Sequence, residues 1–192
     1  MLKDLLIKDR SYRGFNENRK ITRKELEELI ELTRYCPSSI NRQPLVYYLA
    51  YEPELVTQIQ QNTFWARALK DITLPKKGEY PTAFIVVAQD LNLDANEKLF
   101  IRDVGIVAHT ILLGAVERGL GGCMIGSFMA EGVRKALNMP ENMLPHLVIA
   151  IGEPAESIIL EDLKESGNVA YYRDENGLHH VPKRELKDIL AN

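Results

Sequence analysis

The sequence has few of the features that mark secreted, membrane or nucleic-acid-binding proteins. Its two cysteines, Cys36 and Cys123, lie far apart and predict reduced thiols rather than a disulfide framework. No apolar run approaches about 18 residues without a charge, and the N-terminus has no apolar signal core, so neither a membrane span nor a secretory leader is expected. The net charge of −3 weighs against nucleic acid as the main partner. These absences favour a soluble cytoplasmic protein.

The length favours a single domain over residues 1–192. A chain of this size buries roughly 70% of its unfolded surface, so its core needs neither a disulfide nor a metal. The adjacent His179 and His180 would point to opposite faces of an extended segment, so they are not expected to share a metal. His109 and His146 lie in apolar contexts typical of core histidines.

Continuous apolar runs predict buried strands. Residues 84–88 and 147–151 have the composition of strands that are covered on both faces. Residues 46–51 are rich in β-branched and aromatic types and predict a further strand. Because helical patterns separate these strands, the sequence favours an α+β or α/β fold, with helices around a single mixed sheet.

The helical patterns are marked by their first residues. Thr22 and Glu25 form a capping box that opens one helix. Asp94 and Glu97 indicate the start of another, which runs over 97–118 and is apolar on nearly every side. Such a helix belongs in the centre of a core or in a subunit interface. Shorter helices are predicted at 3–9, 54–62, 130–137 and 183–190.

Basic residues near both ends of the chain are candidates for binding a phosphate. Arg10 and Arg13 flank Ser11, and a charge-assisted hydrogen bond contributes roughly 1.5–3 kcal/mol. The alternative is a solvated helix end followed by a turn. Lys183 and Arg184 stand at the start of a predicted helix, where positive charge opposes the macrodipole. A bound anion would explain that placement, and a solvated pair would explain it equally well.

Two further runs could lie against a flat ligand. Residues 37–44 form a loop of small polar residues between prolines, which would hydrogen-bond a heteroaromatic edge or simply turn the chain. Residues 121–126 are rich in glycine, which permits close backbone approach, but they lack the spacing of a dinucleotide fingerprint. Together with the basic residues, these runs indicate a site for a phosphorylated aromatic cofactor. Phe64 and Trp65 would roof a substrate pocket or pack in the core.

Four runs, in this order and at these separations, resemble the nitroreductase family: residues 10–13, 37–44, 122–127 and 181–184. The likeness spans almost the whole chain. It implies an α+β fold with a mixed central sheet surrounded by helices, in an intertwined homodimer with FMN at the subunit interface.

The resemblance also implies roles for individual residues. The residues near the two termini would contact the FMN phosphate and ribityl region, the 37–41 loop would approach the flavin of the partner subunit, and the 124–126 stretch would follow the flavin ring with a backbone N–H facing N5. The implied cofactor-binding residues are Arg10, Ser11, Tyr12, Arg13, Pro37, Ser38, Ser39, Ile40, Asn41, Met124, Ile125, Gly126, Lys183 and Arg184. Phe64, Trp65 and Tyr80 would line the substrate pocket.

The implied activity is that of an FMN-dependent oxidoreductase. NADH or NADPH would reduce the flavin, and a small-molecule electron acceptor such as a nitroaromatic or quinone would then take the electrons in a ping-pong cycle. No catalytic side chain is expected, because the flavin carries the chemistry. The alternatives are a flavin carrier or redox-sensing FMN-binding protein with negligible turnover, and a family branch with other flavin chemistry.

Overall fold

The computed structural model describes residues 1–66, 69, 72–164 and 167–191. Strands and helices alternate through most of the described chain, and two short 3₁₀ turns, Leu32–Tyr35 and Ser39–Asn41, follow the second helix. In chain order the elements are α1 (Leu2–Lys8), α2 (Arg23–Glu31), β1 (Leu45–Ala50), α3 (Pro53–Gln61), β2 (Ala83–Asp90), α4 (Glu97–Glu117), β3 (Gly121–Ile125), α5 (Ala130–Ala136), β4 (Met143–Gly152), β5 (Ile158–Asp162), β6 (Tyr172–Arg173), β7 (His179–Lys183) and α6 (Leu186–Ile189).

A four-stranded antiparallel sheet in the order β1-β2-β4-β3 forms the centre of the fold. Its two middle strands are the continuous apolar runs of the sequence, and β2 is buried from Ala83 to Gln89. Alternate residues face opposite sides, as strand geometry requires. Ile85 packs with α2 and α4, whereas Phe84 packs with α3 and α5. Helices therefore cover both faces of the sheet.

Helix α4 supplies much of this cover. The side chain of Asn96, rather than Asp94, caps it by accepting the N–H of Leu99 at 3.3 Å. By length and composition α4 could cross a membrane, but half of its apolar 18-residue stretch is buried inside the fold. Ile101 and Ile106 on the opposite side are exposed. One side of α4 therefore lies in the core, as expected, and its other side exposes apolar residues to solvent.

A second, smaller sheet follows the central one in the order β5-β7-β6. Strands β5 and β7 are parallel, whereas β6 and β7 are antiparallel. The α+β class is confirmed. Where the sequence indicated one mixed sheet, the structure divides the strands between an antiparallel sheet and a mixed one.

The predicted helix start at Lys183 is wrong. Lys183 is the last residue of β7 and pairs with Asp162 of β5, and α6 begins at Leu186 after the N-cap Glu185. The argument from the helix macrodipole therefore does not apply to Lys183 or Arg184. The capping box of α2 is confirmed, since the Thr22 hydroxyl accepts the Glu25 N–H at 3.3 Å.

Candidate functional site

Residues from both ends of the chain line one cavity, which we call the basic cavity. It measures about 220 Å³ and includes Arg10, Ser11, Arg13 and Lys183. The N-terminal segment reaches it by running beside β3, where Ser11 forms a parallel bridge with Gly122. Its other lining residues are Ile158, Tyr171, His179 and Val181. The predicted convergence of the N-terminal arginines and Lys183 is thus present within a single chain.

Several polar groups around the basic cavity lack partners. Arg10 Nε, Arg13 Nε and Nε2 of His179 are buried without a hydrogen-bond partner among the residues the structure describes. Nδ1 of His179 has no hydrogen-bond partner there either, but it lies near the Glu156 carboxylate. No carboxylate among the described residues forms a salt bridge with Arg10, Arg13 or Lys183. Buried polar groups without partners are rare in folded proteins. The cavity therefore has the charge and the unused donors that suit a phosphate.

Glu156, which the sequence analysis did not identify, anchors the backbone of Arg13 at the wall of this cavity. Its carboxylate accepts the N–H of Arg13 and forms a buried salt bridge with Arg173. Nδ1 of His179 lies 3.9 Å from it. Burial by itself would raise the pKa of Glu156, but His179, the Arg13 N–H and the Arg173 guanidinium outweigh burial and hold that pKa below its usual value. Glu156 is therefore ionised. It does not pair with the Arg13 guanidinium, whose Nη1 donates to the Ser11 carbonyl at 3.2 Å and which lies 5.0 Å above the ring of Tyr171.

A second cavity of about 310 Å³, the ring cavity, adjoins the basic cavity. Arg13 and Tyr171 line both of them. Its remaining lining consists of Phe64, Trp65, Ala66, Cys123, Met124, Ile125, Gly126 and Ser127. The predicted residues Met124, Ile125 and Gly126 thus lie next to the predicted phosphate-binding residues.

Strand β3 presents a free edge to the ring cavity. Among the described strands it pairs with β4 alone, and on its other side the carbonyl of Gly122 accepts the Tyr12 N–H at 3.0 Å. Because the direction of backbone polar groups alternates along an antiparallel strand, the N–H of Met124 also points to the free edge. A Cβ added at Gly126 would meet no atom within 4 Å, whereas one at Gly122 would lie 2.2 Å from a carbonyl oxygen. Packing thus requires glycine at 122 but leaves space at 126.

Cys123 is inert in this setting. Burial raises the pKa of its thiol to about 11, so the thiol stays protonated at neutral pH. A thiol that keeps its proton is a poor nucleophile.

A third cavity of about 620 Å³ contains all three residues of the predicted substrate pocket, Phe64, Trp65 and Tyr80. Phe64 and Trp65 also line the ring cavity, so the two cavities adjoin. The indole N–H of Trp65 donates to Thr63 Oγ1 at 2.8 Å, which fixes the ring. Residues 67, 68, 70 and 71 of this segment lie outside the described residues.

The remaining predicted residues lie apart from these cavities. The loop of Pro37, Ser38, Ser39, Ile40 and Asn41 lines neither the basic nor the ring cavity and packs instead beside α4.

Two other predicted residues also lie outside the cavities. Tyr12 donates its hydroxyl to the Lys8 carbonyl at 2.9 Å, and Gly121 leaves room for its ring, which a Cβ there would approach to 2.5 Å. Arg184 is exposed beyond the end of β7.

The chain is similar to known proteins over most of its length. The sequence profile of the nitroreductase family matches residues 8–153. A protein of Methanothermobacter thermautotrophicus, provisionally named NADH dehydrogenase/NAD(P)H nitroreductase, is 26% identical over 158 residues, which cover 80% of this chain and 78% of that protein.

Solved structures share the fold. A nitroreductase family protein of Streptococcus pneumoniae aligns with a TM-score of 0.73 at 15% identity and covers 100% of both chains. A protein of Staphylococcus epidermidis, provisionally named NAD(P)H:FMN oxidoreductase, aligns with a TM-score of 0.67 at 20% identity over 81% of this chain and 88% of that one.

Proposed function

This chain belongs to the nitroreductase family, and we propose that it is an FMN-dependent oxidoreductase that uses NADH or NADPH to reduce a small-molecule electron acceptor. One observation carries the proposal: a cavity lined by three basic side chains is joined, through Arg13 and Tyr171, to a cavity along a free strand edge. That succession matches a ligand with a phosphate at one end and a flat ring at the other. The names of a relative and of a structural neighbour, which mention NAD(P)H and FMN, agree with it.

The residues of the basic cavity would hold the phosphate. Arg10, Arg13 and Lys183 supply positive charge, and the Ser11 hydroxyl is a further donor. Glu156 would keep Arg13 in place, because it fixes the backbone of that residue without pairing with its guanidinium. The site is therefore largely formed before the ligand arrives, which lowers the entropy cost of binding.

The edge of β3 would hold the ring. When bound, FMN supplies hydride acceptance and donation at N5. The Met124 N–H would donate a hydrogen bond to the ring edge, and the space beside Gly126 would admit the ring plane. Because Cys123 stays protonated, protons for the acceptor would come from solvent or from the cofactor.

The loop at 37–41 gains a role if two copies assemble. Within one chain it lies apart from the ring cavity, so we propose that it covers the flavin bound by the partner subunit in a homodimer. The exposed Ile101 and Ile106 on α4 would then become buried between the subunits. The nicotinamide and the acceptor, for example a nitroaromatic or a quinone, would in turn occupy the third cavity beside the flavin ring, with Phe64, Trp65 and Tyr80 selecting the acceptor.

The phosphate assignment is tested by the double variant Arg13→Ala/Lys183→Ala. The loss of two charge-assisted hydrogen bonds should weaken FMN binding at least about 100-fold, measured by quenching of flavin fluorescence at pH 7. A matched double variant, Arg23→Ala/Lys187→Ala, also removes two positive charges but from exposed positions, and should bind FMN as the parent does. Equal FMN binding by both double variants would reject the phosphate roles.

Turnover separates the enzyme from a flavin carrier. The parent protein loaded with FMN should oxidise NADH or NADPH in the steady state when a quinone is added. A bound flavin that is reducible but does not turn over would favour the carrier.

A further inference from the structure

A buried carboxylate stands in the middle of the apolar helix α4. Asp103 is 3% exposed. Its oxygens accept the Ser38 hydroxyl at 2.7 Å, the Ser39 N–H at 2.9 Å and the Ser39 hydroxyl at 2.8 Å. No lysine, arginine or histidine among the described residues forms a salt bridge with it. A buried carboxylate is costly unless hydrogen bonds compensate it, so these three contacts account for its presence.

The three contacts hold a loop of unusual backbone shape. Ile40, Asn41 and Gln43 have φ values of 50°, 53° and 52°, in the left-handed region that residues with a Cβ disfavour. For the β-branched Ile40 this conformation is particularly unfavourable. The Ser38 hydroxyl oxygen also accepts the Gln43 N–H at 3.0 Å and so closes the loop on itself. A loop of this shape persists only where its surroundings determine it.

The same contacts decide which groups the loop can offer. The Ser38 hydroxyl donates to Asp103, and the Ser39 hydroxyl lies 2.8 Å from Asp103 and 3.3 Å from the Leu99 carbonyl, so neither hydroxyl donates to a ligand in this conformation. Ile40 is instead 78% exposed, and Asn41 is exposed beside it. Both project on the surface near α4, whose outer face carries the exposed Ile106. Asp103 thus fixes which atoms of the loop face outward.

We propose that Asp103 is a positioning residue for the cofactor: acting through Ser38 and Ser39, it fixes the loop that covers the flavin bound by the partner subunit. This inference rests on the proposed function, because the loop has a ligand to cover only in an FMN-binding dimer. Asp103 does not touch the cofactor in this scheme. Its effect is to present Ile40 and Asn41 in one fixed arrangement, so that a second copy meets a loop that is already ordered.

The competing explanation is that Asp103 only stabilises α4 and the chain that packs on it. In that case its replacement would lower the melting temperature but would leave the affinity for FMN and the spectrum of the saturated flavin unchanged. The two explanations therefore differ in properties of the bound flavin, which a purely structural role would not alter.

The test compares Asp103→Asn with Ser39→Ala and with the double variant, using full-length protein. The asparagine keeps the size of the side chain but replaces one acceptor oxygen with a donor, which faces the donors of Ser38 and Ser39. We expect Asp103→Asn to weaken FMN binding about tenfold, the equivalent of one lost hydrogen bond, and to shift the visible absorption of the saturated flavin. Glu117→Gln, the same chemical change at an exposed position of α4, should leave both properties unchanged.

The double variant sharpens the test. Because both substitutions break the same contact, Asp103→Asn/Ser39→Ala should bind FMN within about twofold of Asp103→Asn alone. Ser39→Ala changes a half-buried residue of the loop and keeps the inference testable if Asp103→Asn fails to fold. An unchanged FMN affinity and spectrum in Ser39→Ala and in any folded Asp103→Asn protein would overturn the positioning role. A parent protein that binds no FMN would instead reject the proposed function itself.

Discussion

The two sheets of this protein are held together by different forces. In the central sheet the middle strands are buried by apolar packing, and Ile85 and Ile149, which face each other in the register, are both 0% exposed. In the second sheet His179 is the one buried residue among the described strand positions, and ion pairs link Arg173 of β6 with Glu156 and His180 of β7 with Glu161 of β5. Apolar burial is nearly independent of pH, whereas polar contacts depend on ionisation.

The second sheet contains two polar clusters on opposite faces of β7. On one face Glu156 joins Arg173 in a salt bridge beside His179. On the other, His180 stacks on Tyr172 with ring centroids 4.7 Å apart and contacts Glu161 at 3.2 Å. His179 and His180 therefore point to opposite faces, as expected from their adjacency in an extended segment.

This difference bears on the candidate site, which spans both regions. The ring cavity is lined by β3, an edge of the strongly buried central sheet. The basic cavity is lined by β7 and Tyr171, which belong to the less buried region. We expect the less buried sheet to open more easily, so a cofactor that occupied both cavities would join it to the edge of the central sheet. Because ligand binding stabilises the conformation it fits, FMN should protect the second sheet more than the central one.

The largest effect is expected in the central sheet. Ile149→Ala removes a fully buried side chain from β4 and should lower the free energy of unfolding by about 2–5 kcal/mol. Ile159→Ala on β5 removes a side chain that is 43% exposed and should cost less than about 1 kcal/mol. Urea unfolding of both variants at pH 7 measures the two values. Equal losses would show that the second sheet is packed as tightly as the central one.

An intermediate effect is expected at the buried salt bridge. Arg173→Ala leaves the Glu156 carboxylate with the Arg13 N–H but without its cation, which should cost about 1–3 kcal/mol. Amide hydrogen exchange should accelerate in β6 and β7, while β2 and β4 remain protected. The matched variant Arg173→Met/Glu156→Gln removes both charges and should recover part of the loss. Faster exchange in both sheets would mean that they open as one unit.

Local patterns were sufficient to predict the central region. The Thr22–Glu25 capping box depends on residues three positions apart, and the apolar run of β2 reports its burial on both faces. Lys183 was misassigned because its strand is defined by parallel pairing with Asp162, a contact that no local pattern records. The same limit explains why neither Glu156 nor Tyr171 was singled out.

Part of the candidate site could be predicted from the sequence, because that part also depends on local features. Arg10, Arg13 and Lys183 carry their chemistry in the residue type, so a resemblance was enough to suggest that they converge. Asp103 did leave a signal, a lone carboxylate within an otherwise apolar helical segment. Its partners Ser38 and Ser39 were identified from their own motif, but only the folded chain brings the two features together.

The smallest predicted effect is the loss of amide protection in acid. It distinguishes the two sheets most directly. The pKa of Glu156 is lower in the folded protein than its usual value, because His179, the Arg13 N–H and Arg173 outweigh burial. Its contribution to stability is therefore complete above the unfolded pKa of about 4.3 and is lost as the pH falls through the lower folded pKa. Amide protection in β6 and β7 should decline below about pH 4.5, before that of β2 and β4.

Other carboxyls titrate in the same range, so the comparison needs a variant that removes only one of them. The pKa of Asp174 is also lowered, because the Leu178 N–H and His180 outweigh the effect of burial. The pKa of Glu25 on α2 is lowered to about 2, because Arg19 and Thr22 outweigh the effect of burial there. Glu156→Gln removes only the Glu156 contribution and should flatten the pH dependence of exchange in β7 while leaving that of α2 as it was. If exchange in β7 follows the same pH profile in Glu156→Gln as in the parent, then Glu156 is not the group that ties the second sheet to the N-terminal segment.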